Sequence, residues 1–527
     1  MGSPFLQHAE WNLLRGLPDE ALRLARMGLT LVPDDPELLE LAATCAVRLG
    51  NDSYALACWQ HLLDLDPSAV QVRNSLALVL ERLKRTDEAE SLYRQALAVL
   101  PDDANLHTNL GLLLENQDRL DEAEIHQRRA LVLAPESAEI HSNLAGLLVR
   151  KRQAAEAEQL YRAALHLKPE FAVGYSNLGV LLTDCGRLEE AAVCFQTALA
   201  IDPEGLQVRM NLGELFLMQG RFAEGWPLYE GRQHVFSEAG QGPTAHPPTC
   251  PQWQGEPLAG KSIIVLPEQG MGDEIQFCRY LAWLKAQGPA RVTLVCRPTQ
   301  KALLQTLAGP DFLVDLNEAP AHLAGQDYWV FLVSLPLHAG TTLTSIPGET
   351  PYLFPDPLRV ARHSSLLAGE GLRVGLVWRG NPKHLNDADR SLPGLEVLAP
   401  LWSVGGVRFF SLQKSEISLP SVPLEQPLSD LGPLLDDFAD TAAILSQLDL
   451  LIAVDTSVAH LAGALGLPCW LLLPSYKTDW RWLLGRDDSP WYPKHRLFRQ
   501  QERGTWATPV EAMRQALCRL RDSAGES

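Results

Sequence analysis

Two hydrophobic rhythms divide this chain. Up to about residue 236, apolar residues recur three and four positions apart in stretches of helical length. A proline closes every second stretch, at Pro33, Pro67, Pro101, Pro135, Pro169 and Pro203, each 34 residues after the last. Small residues keep the same phase, at Ala77, Gly111, Ala145, Gly179 and Gly213 and at Ala55, Ala89, Ala123, Ala157 and Ala191, where paired helices must approach closely. Six helical hairpins and a partial seventh are predicted, stacked as an α-solenoid. From residue 259 short apolar runs alternate with helical patterns, at 262–267, 291–296, 328–332, 373–378, 407–412, 449–454 and 468–473. Runs this short and continuous suit parallel strands buried under helices on both faces. The Gly- and Pro-rich run around 237–248 marks a linker, and the Pro-rich stretch 352–357 divides the α/β part. The predicted organisation is a repeat array (1–236), a linker (237–258) and two doubly wound, Rossmann-like α/β units (259–357 and 358–527), with a tail helix over 509–521 packing back.

The 34-residue helical hairpin resembles the tetratricopeptide repeat, whose units stack into a superhelix with a concave face for partners. Asn109, Asn143, Asn177 and Asn211 recur at one register position, each before Leu-Gly or Leu-Ala on the first helix of its hairpin. An amide offers a donor and an acceptor, so a row of them can pair with the backbone of an extended polypeptide. Alternatively, the asparagines bond neighbouring helices.

Composition narrows the function. Lys+Arg is 45 and Asp+Glu is 64, a net charge of −19, with 34 of the acids in residues 1–236. That balance excludes a general nucleic-acid binder, which needs a basic face. No uncharged apolar run reaches the length of a membrane span, and the first residues lack the pattern of a secretory signal. Nine cysteines without a Cys-x-x-Cys pair fit neither a disulfide framework nor a structural zinc site. The expected compartment is a reducing cytoplasm.

Three loops at predicted strand ends carry the candidate chemistry. In Pro267-Glu268-Gln269-Gly270-Met271-Gly272-Asp273-Glu274, Gly270 and Gly272 permit a tight turn before a helix over 275–286. Asp273 is either a functional acid or a helix cap. The loop 378–393 gathers Arg379, Lys383, His384 and Arg390, of which Lys383 and Arg390 suit a diphosphate. Its Asp387 and Asp389 spell Asp-x-Asp, but Arg390 beside them favours a solvated charge cluster over a metal site. In the third, Asp455, Thr456 and Ser457 open a helix that carries His460, a ready phosphate cradle. Trp480 and Trp482 would floor a ligand pocket or fill the core.

In this order the Gly-Met-Gly-Asp-Glu segment, the segment from Arg390 to Pro393 and Asp-Thr-Ser-x-Ala-His-Leu-Ala-Gly-Ala-Leu-Gly resemble glycosyltransferase family 9, the ADP-heptose heptosyltransferases, over roughly residues 260–505. The resemblance implies a GT-B fold, a nucleotide-sugar donor held mainly by the second unit, no cofactor and inverting, metal-independent transfer. Asp273, or its neighbour Glu274, matches the family's base. Gly270, Gly272, Lys383, Arg390, Asp455, Thr456, Ser457 and His460 fall on the donor side. The family has Asp-Thr-Gly where this chain has Asp455-Thr456-Ser457. Repeats followed by such a fold also resemble the plan of the O-GlcNAc transferase, whose array carries a similar asparagine ladder. The function implied is sugar transfer to a protein or peptide selected by the repeats. The alternatives are a scaffold with a degenerate transferase half and an envelope-glycan transferase.

Overall fold

The computed structural model describes residues 4–233, 248–347, 350–384, 386–414 and 428–525. Most of the 237–248 run thus lies outside the described residues, as does Leu385. The chain forms two compact units, divided between Pro203 and Glu204.

The first unit is all helix. The second helix of each hairpin ends two residues before its proline, at Leu31, Leu65, Val99, Leu133, Leu167 and Ile201. Between the helices of each hairpin one residue takes a left-handed backbone: Gly16, Gly50, Lys84, Asp118, Arg152, Gly186 and, in the second unit, Gly220. The 34-residue period is therefore kept in backbone geometry even where the residue is not glycine. Small faces large within two of the hairpins. A Cβ on Gly111 would lie 2.8 Å from the Gln127 amide, and one on Gly179 would lie 2.6 Å from the Phe195 ring. Along the second helices, carboxylates are shared between hairpins. Glu90 pairs with Arg94 at 2.8 Å and Arg119 at 2.7 Å, and Glu158 pairs with Arg162 at 2.8 Å and Arg187 at 2.7 Å. Arg128 reaches Glu156, at 2.8 Å, in the next hairpin.

The second unit opens with one further hairpin, Leu206–Met218 and Phe222–Tyr229, and continues into two parallel sheets. The first sheet holds β1 (Ser262–Leu266), β2 (Arg291–Cys296), β3 (Phe312–Asp315) and β4 (Tyr328–Phe331), in the order β3-β2-β1-β4. The second holds β5 (Leu372–Val377), β6 (Val407–Ser411), β7 (Leu428–Asp430), β8 (Leu450–Val454), β9 (Cys469–Leu473) and β10 (His495–Arg499), in the order β10-β9-β8-β5-β6-β7. β1, β8 and β9 are buried at every residue, as continuous apolar runs between helical layers require. β3, β7 and β10 were not predicted. The first two are four and three residues long at sheet edges, and β10, His-Arg-Leu-Phe-Arg, hides two apolar residues among cations. The tail helix runs from Ala507 to Gly525 and buries Val510, Met513 and Leu517 with Leu398, Leu401 and Phe498 of the second sheet's own core.

Each sheet reverses its strand order once, between β1 and β4 and between β8 and β5. At such a reversal neighbouring crossovers leave on opposite faces and open a crevice at the carboxyl strand ends. The loops after β1, β5 and β8 sit at these two reversals.

Candidate functional site

A cleft of about 1490 Å³ lies at the strand ends and is lined by all three loops. Gly270, Gly272, Asp273, Lys383, Arg390, Asp455, Thr456, Ser457 and His460 all face it. Glu274 does not. It is 2% exposed and ion-paired to Arg297, so of the two adjacent acids only Asp273 is presented to the cleft.

Asp273 sits in the first turn of the helix Met271–Phe277, and one carboxylate oxygen accepts the Gly270 N–H at 2.7 Å. Part of its role is therefore the helix cap. Its other oxygen pairs with Arg481, which is buried and also grips Asp479 through two contacts of 2.9 Å. Burial raises the Asp273 pKa, opposed by the Arg481 charge. Gly272 is needed for packing: a Cβ there would stand 2.8 Å from His460 Cδ2, on the helix Ser457–Ala464. That close approach brings the first and third loops together.

His460 is 6% exposed, accepts or donates one hydrogen bond with the Tyr492 hydroxyl at 3.0 Å and stacks on Trp482 at 5.2 Å. Burial, reinforced by Arg481, holds its pKa well below the usual value, so the ring is neutral. Asp455 lies 4.0 Å from His460 Nε2, and burial together with Asp479 pushes its pKa up to about 6, with Arg390 pulling it back. Ser457 begins the third loop's helix behind Thr456, so backbone N–H groups are free of intrahelical partners at its first turn.

The second loop supplies cations. Arg390 is half-buried, 3.5 Å from Asp387, and Lys383 is exposed on the cleft wall. Asp387 also accepts from Ser391 Oγ at 2.7 Å, whereas Asp389 is clamped by Arg503 at 2.6 and 2.8 Å. The two acids of the Asp-x-Asp are thus held apart by different partners. Trp480 and Trp482 belong to the core, not to a pocket floor. They are 4% and 0% exposed, and Trp480 packs on Trp226 at 5.4 Å and Tyr229 at 5.8 Å.

Sequence reasoning missed Arg481, Arg297 and Lys414, all on the cleft wall.

In the first unit two of the three asparagine amides turn to neighbouring helices. Asn109 donates to Asn74 Oδ1 at 2.8 Å and Asn177 to Ser142 Oγ at 3.4 Å, both in the preceding hairpin. Asn143 is half-buried, and Asn211, in the second unit, accepts from Gln207 at 2.8 Å. Among the described residues no helix is long and apolar enough to cross a membrane.

Residues 41–104, 76–138, 128–172 and 172–204 match the tetratricopeptide repeat family. The chain is 29% identical over 320 residues to Protein FlbA of Caulobacter vibrioides, covering 56% of this chain and 52% of that protein. It therefore spans about half the length of this curated relative. Among solved structures it is similar to MamA from Desulfovibrio magneticus RS-1, at 24% identity over 32% of this chain and 94% of that one, with a TM-score of 0.30. A likeness also extends to YrrB, a TPR protein with an unusual peptide-binding site, at 21% identity over 35% of this chain and 95% of that one, with a TM-score of 0.29.

Proposed function

We propose that the second unit is a glycosyltransferase of the GT-B type, moving a sugar with inversion from a nucleotide-sugar donor to a hydroxyl of a protein or peptide selected by the repeat array. The observation that carries this reading is the convergence, at two strand-order reversals, of Asp273 at the start of one helix with the basic side chains of the second loop and the helix start at Ser457.

Each group has a task in that reaction. The acceptor hydroxyl must lose a proton as it attacks the anomeric carbon from the face opposite the nucleotide. Asp273 takes it: burial makes this carboxylate a stronger base than one in water, while Arg481 keeps it ionised and aimed. Positive charge grows on the sugar ring as the bond to the leaving group stretches. The departing diphosphate gathers negative charge, which Arg390, Lys383 and the N–H groups at Ser457 neutralise without a divalent ion. Asp455 and neutral His460 line the donor side, where the imidazole adds no charge and the Asp455 carboxylate can accept a hydrogen bond from a donor hydroxyl.

The test is calorimetry with a panel of nucleoside diphosphates, followed by hydrolysis of the matching nucleotide-sugars. Binding to wild type and a loss of about 1.5–3 kcal/mol in Arg390→Ala are expected, the worth of a hydrogen bond to a charged group. If no nucleotide binds, the transferase reading fails and the chain is a repeat scaffold with a vestigial α/β half.

A further inference from the structure

The hairpin that opens the second unit sends one helix, Phe222–Tyr229, and the turn after it into the base of the first loop. Tyr229 is 2% exposed, and its hydroxyl lies 2.9 Å from Gln269 Nε2. Three residues on, Arg232 is fully buried and bonds Glu268 Oε2 and Ser334 Oγ, both at 2.9 Å. Two consecutive loop residues, Glu268 and Gln269, are thus held by a single helical end.

Gln269 is the pivot of the loop. Its backbone is left-handed, with φ of 58°, a conformation that costs a side-chain-bearing residue energy and needs support from its surroundings. Its carbonyl accepts from Arg297 at 2.6 Å, and its side-chain oxygen faces Arg481 Nη2 at 3.4 Å. A guanidinium can only donate, so the amide oxygen must point to Arg481 and the amide nitrogen to Tyr229. The tyrosine hydroxyl is then the acceptor that selects one of the two amide orientations. The same Arg481 nitrogen pairs with Asp273. The ring of Tyr229 is itself fixed by aromatic packing, since Trp480, the neighbour of Arg481, lies 5.8 Å from it.

We propose that Tyr229 is a positioning residue of the cleft, which orients Gln269 and through it Arg481 and Asp273, so that the last repeat-like helix is a working part of the transferase site. This rests on the glycosyl-transfer reading above. Tyr229 touches no substrate. It acts through the loop alone.

The experiment compares full-length wild type with Tyr229→Phe, which keeps the ring and removes the hydroxyl. Turnover of the nucleotide-sugar that wild type hydrolyses is expected to fall roughly 10- to 100-fold, the effect of misplacing a reacting group by a fraction of an ångström to one ångström. Donor KM and nucleoside diphosphate affinity should stay within about twofold, because the donor wall is untouched. Amide exchange in a peptide covering 267–274 should quicken, while exchange in β8 and β9 stays at the wild-type rate. Gln269→Leu should cost turnover similarly, and the double variant no more than either single one. Turnover within twofold of wild type with unchanged loop exchange would overturn the proposal, as would additive losses in the double variant. Should wild type neither bind nor hydrolyse any nucleotide-sugar, the transferase reading fails. The exchange comparison then still decides whether Tyr229 holds the loop.

Discussion

Trp226→Ala tests where the seventh hairpin belongs energetically. The indole is 1% exposed and ringed by Phe222, Trp480, Phe277 and Tyr229 at centroid distances of 5.6, 5.4, 6.3 and 6.4 Å. Truncating a fully buried tryptophan costs about 3–5 kcal/mol, and loss of several edge-to-face pairs places this site at the upper end. With a urea slope of about 3 kcal/mol per M or more for a unit this size, the midpoint should fall by roughly 1–1.5 M. The assay is urea unfolding followed by helix-dominated circular dichroism for the array and by near-ultraviolet signals for the sheet-bearing unit. Phe195→Ala is the mirror control. Phe195 is 1% exposed in the first unit, so its loss should lower the array transition alone. A Trp226→Ala protein whose α/β transition stays within about 0.5 kcal/mol of wild type, while the array transition drops, would refute the reasoning.

Asp273→Asn should cut transfer by about 10²–10⁴ in chelator-containing buffer, with nucleotide affinity nearly unchanged, as measured by steady-state kinetics and calorimetry. Glu214, whose pKa burial and Asp479 push up to about 7 from 4.5, binds its proton more tightly folded than unfolded. Its contribution is therefore full below about pH 4.5 and lost as pH rises through 7, so Glu214→Gln should match wild-type stability at pH 4.5 and exceed it above pH 7 in denaturant titrations. Replacing Asn109, Asn143, Asn177 and Asn211 together by alanine should spare donor hydrolysis and lower the array's thermal stability through the lost Asn109–Asn74 and Asn177–Ser142 bonds, each worth about 0.5–1.5 kcal/mol, and any fall in transfer to polypeptide by the folded variant measures acceptor contacts. If only thermal stability falls, the asparagines serve helix packing alone.

The repeat period was legible because one backbone solution recurs, and even its left-handed turns keep step. The strands that alternate with helices were legible where both faces are buried, as in β1, β8 and β9. The short edge strands β3 and β7 were not, since they carry too little pattern to separate them from loops. What the reading missed at the site is long-range pairing: Arg481 lies 208 residues from Asp273, and nothing local in the chain announces the pair. The seventh hairpin carried a signal in its register. Glu90, Glu124 and Glu158 precede Ala192 and then Trp226 at one 34-residue position, and buried Ala96, Ala130, Ala164 and Ala198 precede Arg232 at another. A tryptophan where earlier repeats keep a partly exposed, ion-paired acid, and a cation where they keep a buried methyl, both require new neighbours.

The shared carboxylates along the array have a consequence for how it comes apart. In a stack whose members meet only their neighbours, cooperativity resides in the junctions rather than in the members. Here each of Glu90 and Glu158 binds one arginine in its own hairpin and one in the next, so part of every such junction is ionic and lies at the rim, within reach of salt. At about 1 M salt the screening length shrinks to roughly 3 Å, and these junctions weaken while the hairpin interiors, built on alanine and leucine, do not. Ionic strength is therefore expected to act on the junctions before the hairpins, broadening the array's unfolding transition in brine relative to dilute buffer.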